Sequence, residues 1–205
     1  MVHFSSFQLS TESLSLNSQC QRDLMTSHLL SLSPESRRNR FCSETSDESI
    51  LKYIASLNPT LDYMFGILSP TSILIPSQIL ALGHLGRVGN SSPSHYELAL
   101  SVAESDRQKG LGSSLLEDIL FNRAPNLGVQ TISCHCLYTN RKVQELFVRK
   151  GVTLKTHYSD NSSIGRIEIP EPSTLSRCSS RVLQLIELNR KLTRTSVSTL
   201  RFLYS

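Results

Sequence analysis

Two cations and two glycines lie close together in residues 107–112, between a predicted strand and a predicted helix. The cations are Arg107 and Lys109, and the glycines are Gly110 and Gly112. Glycine lets the backbone turn tightly and approach a ligand without an intervening side chain. The amide hydrogens of such a turn point into one concavity at the positive end of the following helix, and this arrangement binds pyrophosphate. The spacing therefore predicts a phosphate cradle.

This segment differs from the two best-known phosphate-binding motifs. The dinucleotide fingerprint G-x-G-x-x-G is incomplete, and no Gly-Lys-Ser/Thr of a Walker loop follows the glycines. Ser113 and Ser114 instead place hydroxyl groups at the first turn of the helix. A structural turn without a ligand is the alternative interpretation, and the surrounding elements must decide between the two.

The predicted elements around the cradle alternate between strands and helices. The strands cover residues 95–102, 128–137, 152–158 and 163–169, and the helices cover residues 113–121 and 140–150. A Pro-Glu-Pro-Ser sequence then ends the domain at residue 170. Residues 171–205 form a C-terminal extension, in which residues 181–194 have the pattern of a short basic amphipathic helix.

The N-terminal part is predicted to be rich in helices. After a possible strand over residues 2–9, three helix starts follow at serines, which are good N-cap residues: Ser18, Ser33 and Ser46. Pro34 occupies the first helical position of the second helix. Beyond residue 59 the period changes, and strands are predicted over residues 62–68 and 78–88.

In this context the chain resembles the GNAT superfamily of acyltransferases. The cofactor loop of that family, Gln/Arg-x-x-Gly-x-Gly/Ala, is matched by Arg107, Gly110 and Gly112. The strand at residues 96–102 looks like the Glu-x-Ala-x-x-Val strand that precedes the loop in the family.

Two further segments carry the resemblance. Asn140 and Gly151 look like the family's Asn-x₁₀-Gly helix. Residues 32–41 look like the "LSPES…RF" segment of a subgroup that includes bacterial protein-lysine acetyltransferases. The resemblance covers residues 2–170, and its four pieces occur in the order that the family has.

The resemblance implies an α/β fold with a mixed, mostly antiparallel central sheet, flanked by helices and splayed at its central strands. It implies direct transfer of an acetyl group from acetyl-CoA to a primary amine. The strand around Val102 would pair with the pantetheine arm, and Asn140 would contact or position that arm. The remaining cofactor-binding residues would be those of the cradle: Arg107, Gln108, Lys109, Gly110, Leu111, Gly112 and Ser113.

Acetyl transfer needs a neutral amine, whereas a lysine amine with a pKa of about 10.4 is protonated at neutral pH. A general base is therefore required, and Glu97 is the candidate. Glu97 lies in an apolar strand, where desolvation should raise the pKa of a carboxylate, and it matches a glutamate base of the protein-acetylating subgroup. A solvent-facing or salt-bridged glutamate is the alternative. Glu104 is a second carboxylate, for which a solvent-facing role is expected beside incoming phosphates.

A general acid for the departing thiolate is harder to identify. Many family members have a tyrosine seven residues after the asparagine, but Phe147 stands there in this chain. Tyr138 is close in sequence and is the weaker candidate. Coenzyme A thiolate is a tolerable leaving group, so the reaction does not depend on such an acid.

The sequence Cys134-His135-Cys136 suggests a metal site, but its spacing argues against one. In a strand the two cysteines point to one face and His135 to the other, and no second ligand pair follows at zinc-like spacing. Buried core thiols are the better interpretation, and no metal is expected. His84 and His95 are expected to be ordinary strand residues that can border the acceptor pocket.

Charge and cysteine content restrict the partners and the compartment. A net charge of +4 favours a phosphorylated cofactor, but without a dense Lys/Arg face no nucleic-acid partner is expected. The sequence has five cysteines without framework spacing, no signal-peptide pattern and no apolar run of about 20 residues. These features predict a cytoplasmic protein without a transmembrane segment.

Three alternatives stay open at this point. The acceptor is a protein lysine, which the Ser-Pro-Glu-Ser resemblance favours, or it is a small amine or a peptide N-terminus. The chain could also be a non-catalytic acyl-CoA-binding module, since the usual tyrosine is missing at position 147. Nucleic-acid binding would show itself by a steep dependence on salt.

Overall fold

The structure is a computed structural model that describes residues 9–70, 77–89 and 94–150, and the backbone of residues 153–157 and 162–168. All of these lie in the first of two compact units of the chain, Met1–Ile169. Residues 2–8 of the predicted opening strand and the helix predicted at residues 181–194 lie outside the described residues. The predicted domain boundary at residue 170 stays a prediction.

Three helices precede the main part of the sheet, and each begins at the serine that the sequence predicts. They are α1 (Gln19–Leu30), α2 (Pro34–Phe41) and α3 (Asp47–Ser56). The side chains of Ser18, Ser33 and Ser46 each accept a hydrogen bond from the amide three residues later. These caps satisfy amides that have no partner within the helix.

Seven strands form one mixed sheet in the order β1-β2-β3-β4-β5-β7-β6. They are β1 (Thr11–Leu14), β2 (Asp62–Leu68), β3 (Ile79–Arg87), β4 (His95–Val102), β5 (Thr131–Leu137), β6 (Thr153–His157) and β7 (Ser162–Glu168). All neighbouring pairs are antiparallel except β4 and β5, which are parallel. The predicted mostly antiparallel sheet is confirmed.

Strand β1 was not predicted, because Thr-Glu-Ser-Leu is short and polar and carries no period-2 apolar pattern. The strand forms because it pairs with β2 at the edge of the sheet, where Thr11 lies opposite Ile67 and Leu14 lies opposite Met64.

The two central strands separate soon after they meet. Strands β4 and β5 pair through three positions, His95 with Thr131, Tyr96 with Ile132 and Glu97 with Ser133. Residues 98–102 of β4 continue beyond that pairing, while β3 pairs with β4 along residues 96–102. The predicted splay is therefore confirmed, and we call the point after Glu97 and Ser133 the fork.

Helices cover both faces of the sheet. On one face, α4 (Leu111–Asp118), a π-helical turn (Ile119–Arg123), the short α5 (Ala124–Asn126) and α6 (Arg141–Arg149) surround the larger apolar core. On the other face, α1 and α3 pack against a second core that includes Met64 and Leu82. Among the described helices, none is long and apolar enough to cross a membrane.

A buried histidine attaches α1 to the sheet. The His28 side chain is 4% exposed, and its Nδ1 lies 2.8 Å from the carbonyl oxygen of Ile79. Its Nε2 lies 2.9 Å from Ser101 Oγ. Neutral imidazole satisfies both contacts by donating from Nδ1 and accepting from the serine hydroxyl. Burial lowers the pKa of His28 to about 4, so the ring is neutral at physiological pH.

We expect His28 to make the fold sensitive to mild acid. Because its pKa is lower in the folded chain than in the unfolded chain, its stabilisation is complete above pH 6.5 and is lost as the pH falls towards 4. The loss amounts to about 3 kcal/mol in the free energy of unfolding. Urea titrations between pH 7 and 4.5 should show this slope in wild type and in His135→Asn, an exposed control. An unchanged slope in His28→Asn would contradict the assignment.

Candidate functional site

The connection between β4 and α4 turns back on itself through two residues with positive φ. A 3₁₀ turn (Glu104–Asp106) follows Val102, and then Gln108 has φ +64° and Gly110 has φ +81°. Gly110 is the N-cap residue of α4. Residues in such conformations turn successive amide groups towards one side, as anion-binding nests do.

The N-terminus of α4 differs from those of the other long helices in the described part of the chain. Side chains cap α1, α2, α3 and α6, whereas no side chain caps α4. The amides of Leu111, Gly112 and Ser113 therefore have neither an intrahelical acceptor nor a cap. Free amides at a positive helix end are suited to an anion such as phosphate.

Gly112 allows three elements to meet behind these amides. A Cβ atom on Gly112 would lie 3.3 Å from Val102 Cγ2 and 3.9 Å from Leu146 Cδ2. The end of β4, the start of α4 and the side of α6 are thus in close contact. At Gly110 a Cβ atom would meet nothing within 4 Å, so the space in front of the turn is open.

Both cations of the cradle are paired within their own loop. Arg107 Nη1 lies 3.2 Å from Glu104 Oε2, and Lys109 Nζ lies 2.7 Å from Asp106 Oδ1. The sequence predicts that these cations add charge for a ligand, but each is already partly neutralised. The uncompensated positive potential of this loop comes from the backbone amides of α4.

Glu104 connects the cradle to α2, a contact that the sequence did not reveal. Although partly exposed, its Oε1 accepts hydrogen bonds from Ser33 N at 3.0 Å and Ser36 Oγ at 2.6 Å. Arg107 also donates from Nη2 to Ser36 Oγ. Hydrogen bonds from Ser33 and Ser36 lower the pKa of Glu104 to about 2. Glu104 is thus exposed, as expected, but its carboxylate also holds the start of α2.

Glu97 lies at the fork, where the parallel pairing of β4 and β5 ends. It stands opposite Gly86 on β3 and Ser133 on β5. Its side chain is 45% exposed, and Oε1 lies 3.9 Å from His135 Nδ1. The expected desolvation of this carboxylate is not found, because the apolar neighbours of Glu97 in the sequence point to the opposite face of the sheet.

Each of the candidates on α6 and just before it makes a contact within the protein. Asn140 is the N-cap residue of α6, and its Oδ1 accepts a hydrogen bond from Val143 N at 3.4 Å. Phe147 is buried in the larger core. Tyr138 stacks with the Arg141 guanidinium, which lies 4.3 Å from the ring centroid.

The sequence Cys134-His135-Cys136 alternates as predicted. Both cysteines are buried and His135 is exposed. Burial raises the pKa of the Cys136 thiol to about 11, so this thiol stays protonated. Among the described residues, no three His, Cys, Asp or Glu side chains are grouped so that they could hold a metal ion.

His84 belongs to a polar cluster that no local sequence pattern indicates. It was expected to be an ordinary strand residue, yet both of its ring nitrogens are hydrogen-bonded, to Tyr53 and to Asp62. His95 contacts Ser133 Oγ at 3.0 Å. Nothing local in the sequence links residues 53, 62 and 84, because α3, β2 and β3 meet only in the folded chain.

Comparison with known proteins places the chain in one family. Residues 35–152, more than half of the chain, match the sequence model of the acetyltransferase (GNAT) family. The GNAT domain of S. lividans PAT is 18% identical and has a TM-score of 0.61 over 77% of this chain and 89% of that chain. Spermidine N-acetyltransferase from Vibrio cholerae, solved with CoA and spermine, is 17% identical, with a TM-score of 0.60 over 79% and 96%. No curated protein matches the chain.

The contact between Glu104 and α2 can be tested by carboxyl NMR. We expect a pKa of about 2 for Glu104 in the wild-type protein and a higher pKa in Ser36→Ala, which loses one of the lowering hydrogen bonds. Because the folded pKa is lowered, the stabilisation by Glu104 is present above pH 4.5 and is lost as the pH falls towards 2.

The matched control is Ser105→Ala, since Ser105 donates to the neighbouring Asp106 and not to Glu104. In that variant the Glu104 pKa should stay at the wild-type value. A Glu104 pKa that does not change in Ser36→Ala would refute the contact.

Proposed function

This chain belongs to the acetyltransferase (GNAT) family, and on that basis we propose that it transfers an acetyl group from acetyl-CoA to a primary amine. One observation carries the proposal: the uncapped start of α4 and the fork between β4 and β5 lie along the same stretch of β4. The two features lie at opposite ends of one gap in the sheet, as an elongated thioester requires.

Acetyl-CoA would bind along this gap, with the amides of residues 108–113 around its pyrophosphate. The backbone of β4 on the side of β5 would pair with the pantetheine arm from Val102 inwards. At about 3.3 Å per residue, the distance from Val102 to Glu97 along the strand is about 16 Å. An arm held at its phosphates would in this way direct its thioester towards the fork.

Glu97 is the residue that we propose as general base. An ammonium group has no lone pair, so it must lose a proton before its nitrogen can attack the thioester carbonyl. The Glu97 carboxylate is exposed enough to meet an amine from solvent, and its negative charge attracts an ammonium group. As the C–N bond forms and the C–S bond breaks, the sulfur takes a proton from solvent, since Phe147 has no hydroxyl group.

For the acceptor we propose a protein lysine. The support is the segment at residues 32–41, in which Ser33 and Ser36 contact Glu104 of the cradle. The GNAT domain of S. lividans PAT has the same fold, with a TM-score of 0.61. A small amine is the second candidate, favoured by the similarly strong likeness to the V. cholerae spermidine N-acetyltransferase, and a peptide N-terminus is the third.

We also propose that the protein works in the cytoplasm. In the described part of the chain all four cysteines are free thiols: Cys20, Cys42, Cys134 and Cys136. Free thiols are typical of proteins from a reducing compartment.

The cradle is tested by two substitutions at Gly110. Any side chain there costs about 1–2 kcal/mol of stability, because the left-handed backbone conformation disfavours L-residues. Gly110→Ala and Gly110→Trp share this backbone cost, but only tryptophan fills the open space in front of the turn. By isothermal titration, we expect Ala to keep affinity for coenzyme A within a few-fold and Trp to weaken it at least about tenfold. Equal affinity in the two variants would argue against this placement.

The catalytic proposal is tested by Glu97→Gln, which keeps the shape of the side chain and removes its charge. We expect turnover to fall about 10²- to 10⁴-fold, because general base catalysis contributes about that much. The affinity for coenzyme A should not change. Unchanged turnover would exclude Glu97 as the base. Tight binding of acetyl-CoA without any transfer in the wild type would favour a non-catalytic binding module.

A further inference from the structure

A chain of hydrogen bonds crosses the face of the sheet that carries Glu97. Arg40 Nη2 donates to Tyr53 Oη at 3.1 Å, and Tyr53 Oη lies 2.8 Å from His84 Nδ1. His84 Nε2 in turn lies 2.8 Å from Asp62 Oδ1. The chain thus joins α2, α3, β3 and β2.

When the His84 imidazole is neutral, the end groups fix the direction of every bond in this chain. The Asp62 carboxylate can only accept, so the neutral ring carries its proton on Nε2 and has a lone pair on Nδ1. The Tyr53 hydroxyl therefore donates to Nδ1. Arg40 can only donate, so it occupies one lone pair of Tyr53 Oη and leaves the second lone pair available.

The chain lies beside the fork. Asp62, Gly86 and Glu97 stand opposite one another on β2, β3 and β4, in one row across the sheet. A Cβ atom on Gly86 would lie 2.9 Å from His84 Cε1 and 3.2 Å from Asp62 Oδ1. The imidazole therefore lies over Gly86, the residue that pairs with Glu97.

We propose that Tyr53, His84 and Asp62 form a proton relay for the acceptor amine, an inference that rests on the proposed function. An ammonium group loses two protons in the reaction, one before attack and one as the C–N bond forms. Glu97 takes the first proton. Tyr53 Oη takes the second while its own proton passes to His84 Nδ1, and the resulting imidazolium is stabilised by Asp62.

The surroundings of the relay fit this role. The side chains of His84 and Asp62 are 13% and 17% exposed, so water screens their interaction only weakly. Although burial opposes it, the hydrogen bonds from His84 and from Asn58 N lower the pKa of Asp62, which stays ionised. Burial raises the pKa of Tyr53, but the relay forms no tyrosinate, since one proton leaves the oxygen as another arrives.

Charged groups lie near the relay on α2 and on β4. Arg40 on α2 contacts Tyr53, and Glu97 on β4 lies at the fork, where its Oε1 is 3.9 Å from His135 Nδ1. The negative charge of Glu97 favours the imidazolium and the positive charge of Arg40 opposes it. A purely structural network, which only attaches α2 and α3 to the sheet, would contain the same bonds, so the test must separate chemistry from packing.

The first variant is Tyr53→Phe, which keeps the ring that packs edge-on against Phe41 and removes the hydroxyl group. Its control is Tyr63→Phe, on the opposite face of the same sheet. With poly-L-lysine and spermidine as amine probes, we expect kcat to fall about 10²-fold in Tyr53→Phe and to stay unchanged in Tyr63→Phe. Coenzyme A affinity should be the same in both variants. A kcat within about twofold of wild type in Tyr53→Phe would overturn the relay.

The second variant is His84→Ala with small heterocycles added to the assay. Imidazole should restore part of the turnover, whereas thiazole, a ring of similar size and much weaker basicity, should not. Equal rescue by the two rings, or rescue by neither, would overturn the relay in favour of a packing role. If the wild type binds coenzyme A but acetylates neither probe, the proposed function fails, and the relay fails with it.

Discussion

The parallel pairing between β4 and β5 lasts for only three residues, and the site follows from the gap that opens beyond it. A gap in a sheet is costly unless neighbouring elements hold its two edges, because backbone groups along the edges lose their ladder partners. In this protein, helices on both faces of the sheet pack against the end of β4 beside the gap. On one face Gly112 brings α4 and α6 against Val102. On the other face His28 holds α1 to Ser101, close to the open end of the gap.

The potential at the mouth of the gap comes from backbone groups more than from side-chain charge. Arg107 and Lys109 are each paired with a carboxylate of the same loop. The amides at the start of α4 have no such partners, and free amides at a helix N-terminus are suited to an anion. Because Glu104 also accepts hydrogen bonds from the start of α2, the loop before α4 and helix α2 are joined by hydrogen bonds.

Polar groups lie between α2, α3 and the face of the sheet that carries Glu97. A network such as Asp62, His84 and Tyr53 is expensive to bury unless every group in it is satisfied. Here each donor meets an acceptor along the chain, although Arg40 Nε is a buried nitrogen without a partner among the described residues. The network lies next to the exposed Glu97 carboxylate, which is the position that the proposed proton relay requires.

Sequence by itself determined the features that depend on local physics. Serine caps place the starts of α1, α2 and α3, alternation of side chains separates Cys134 and Cys136 from His135, and the glycines identify the turn before α4. Nearly all the described elements were predicted on this basis, and the sheet class and its splay followed from the family resemblance.

Only the tertiary structure decided which residues meet. The polar strand β1 forms because β2 offers it an edge, Glu104 meets Ser33 and Ser36 across about 70 positions, and His84 meets Tyr53 and Asp62. Local signals act over one turn of helix or one strand, whereas the partners of a buried polar group depend on how distant segments pack. For the same reason, the exposure of Glu97 and the pairing of the cradle's cations became visible only in the folded chain.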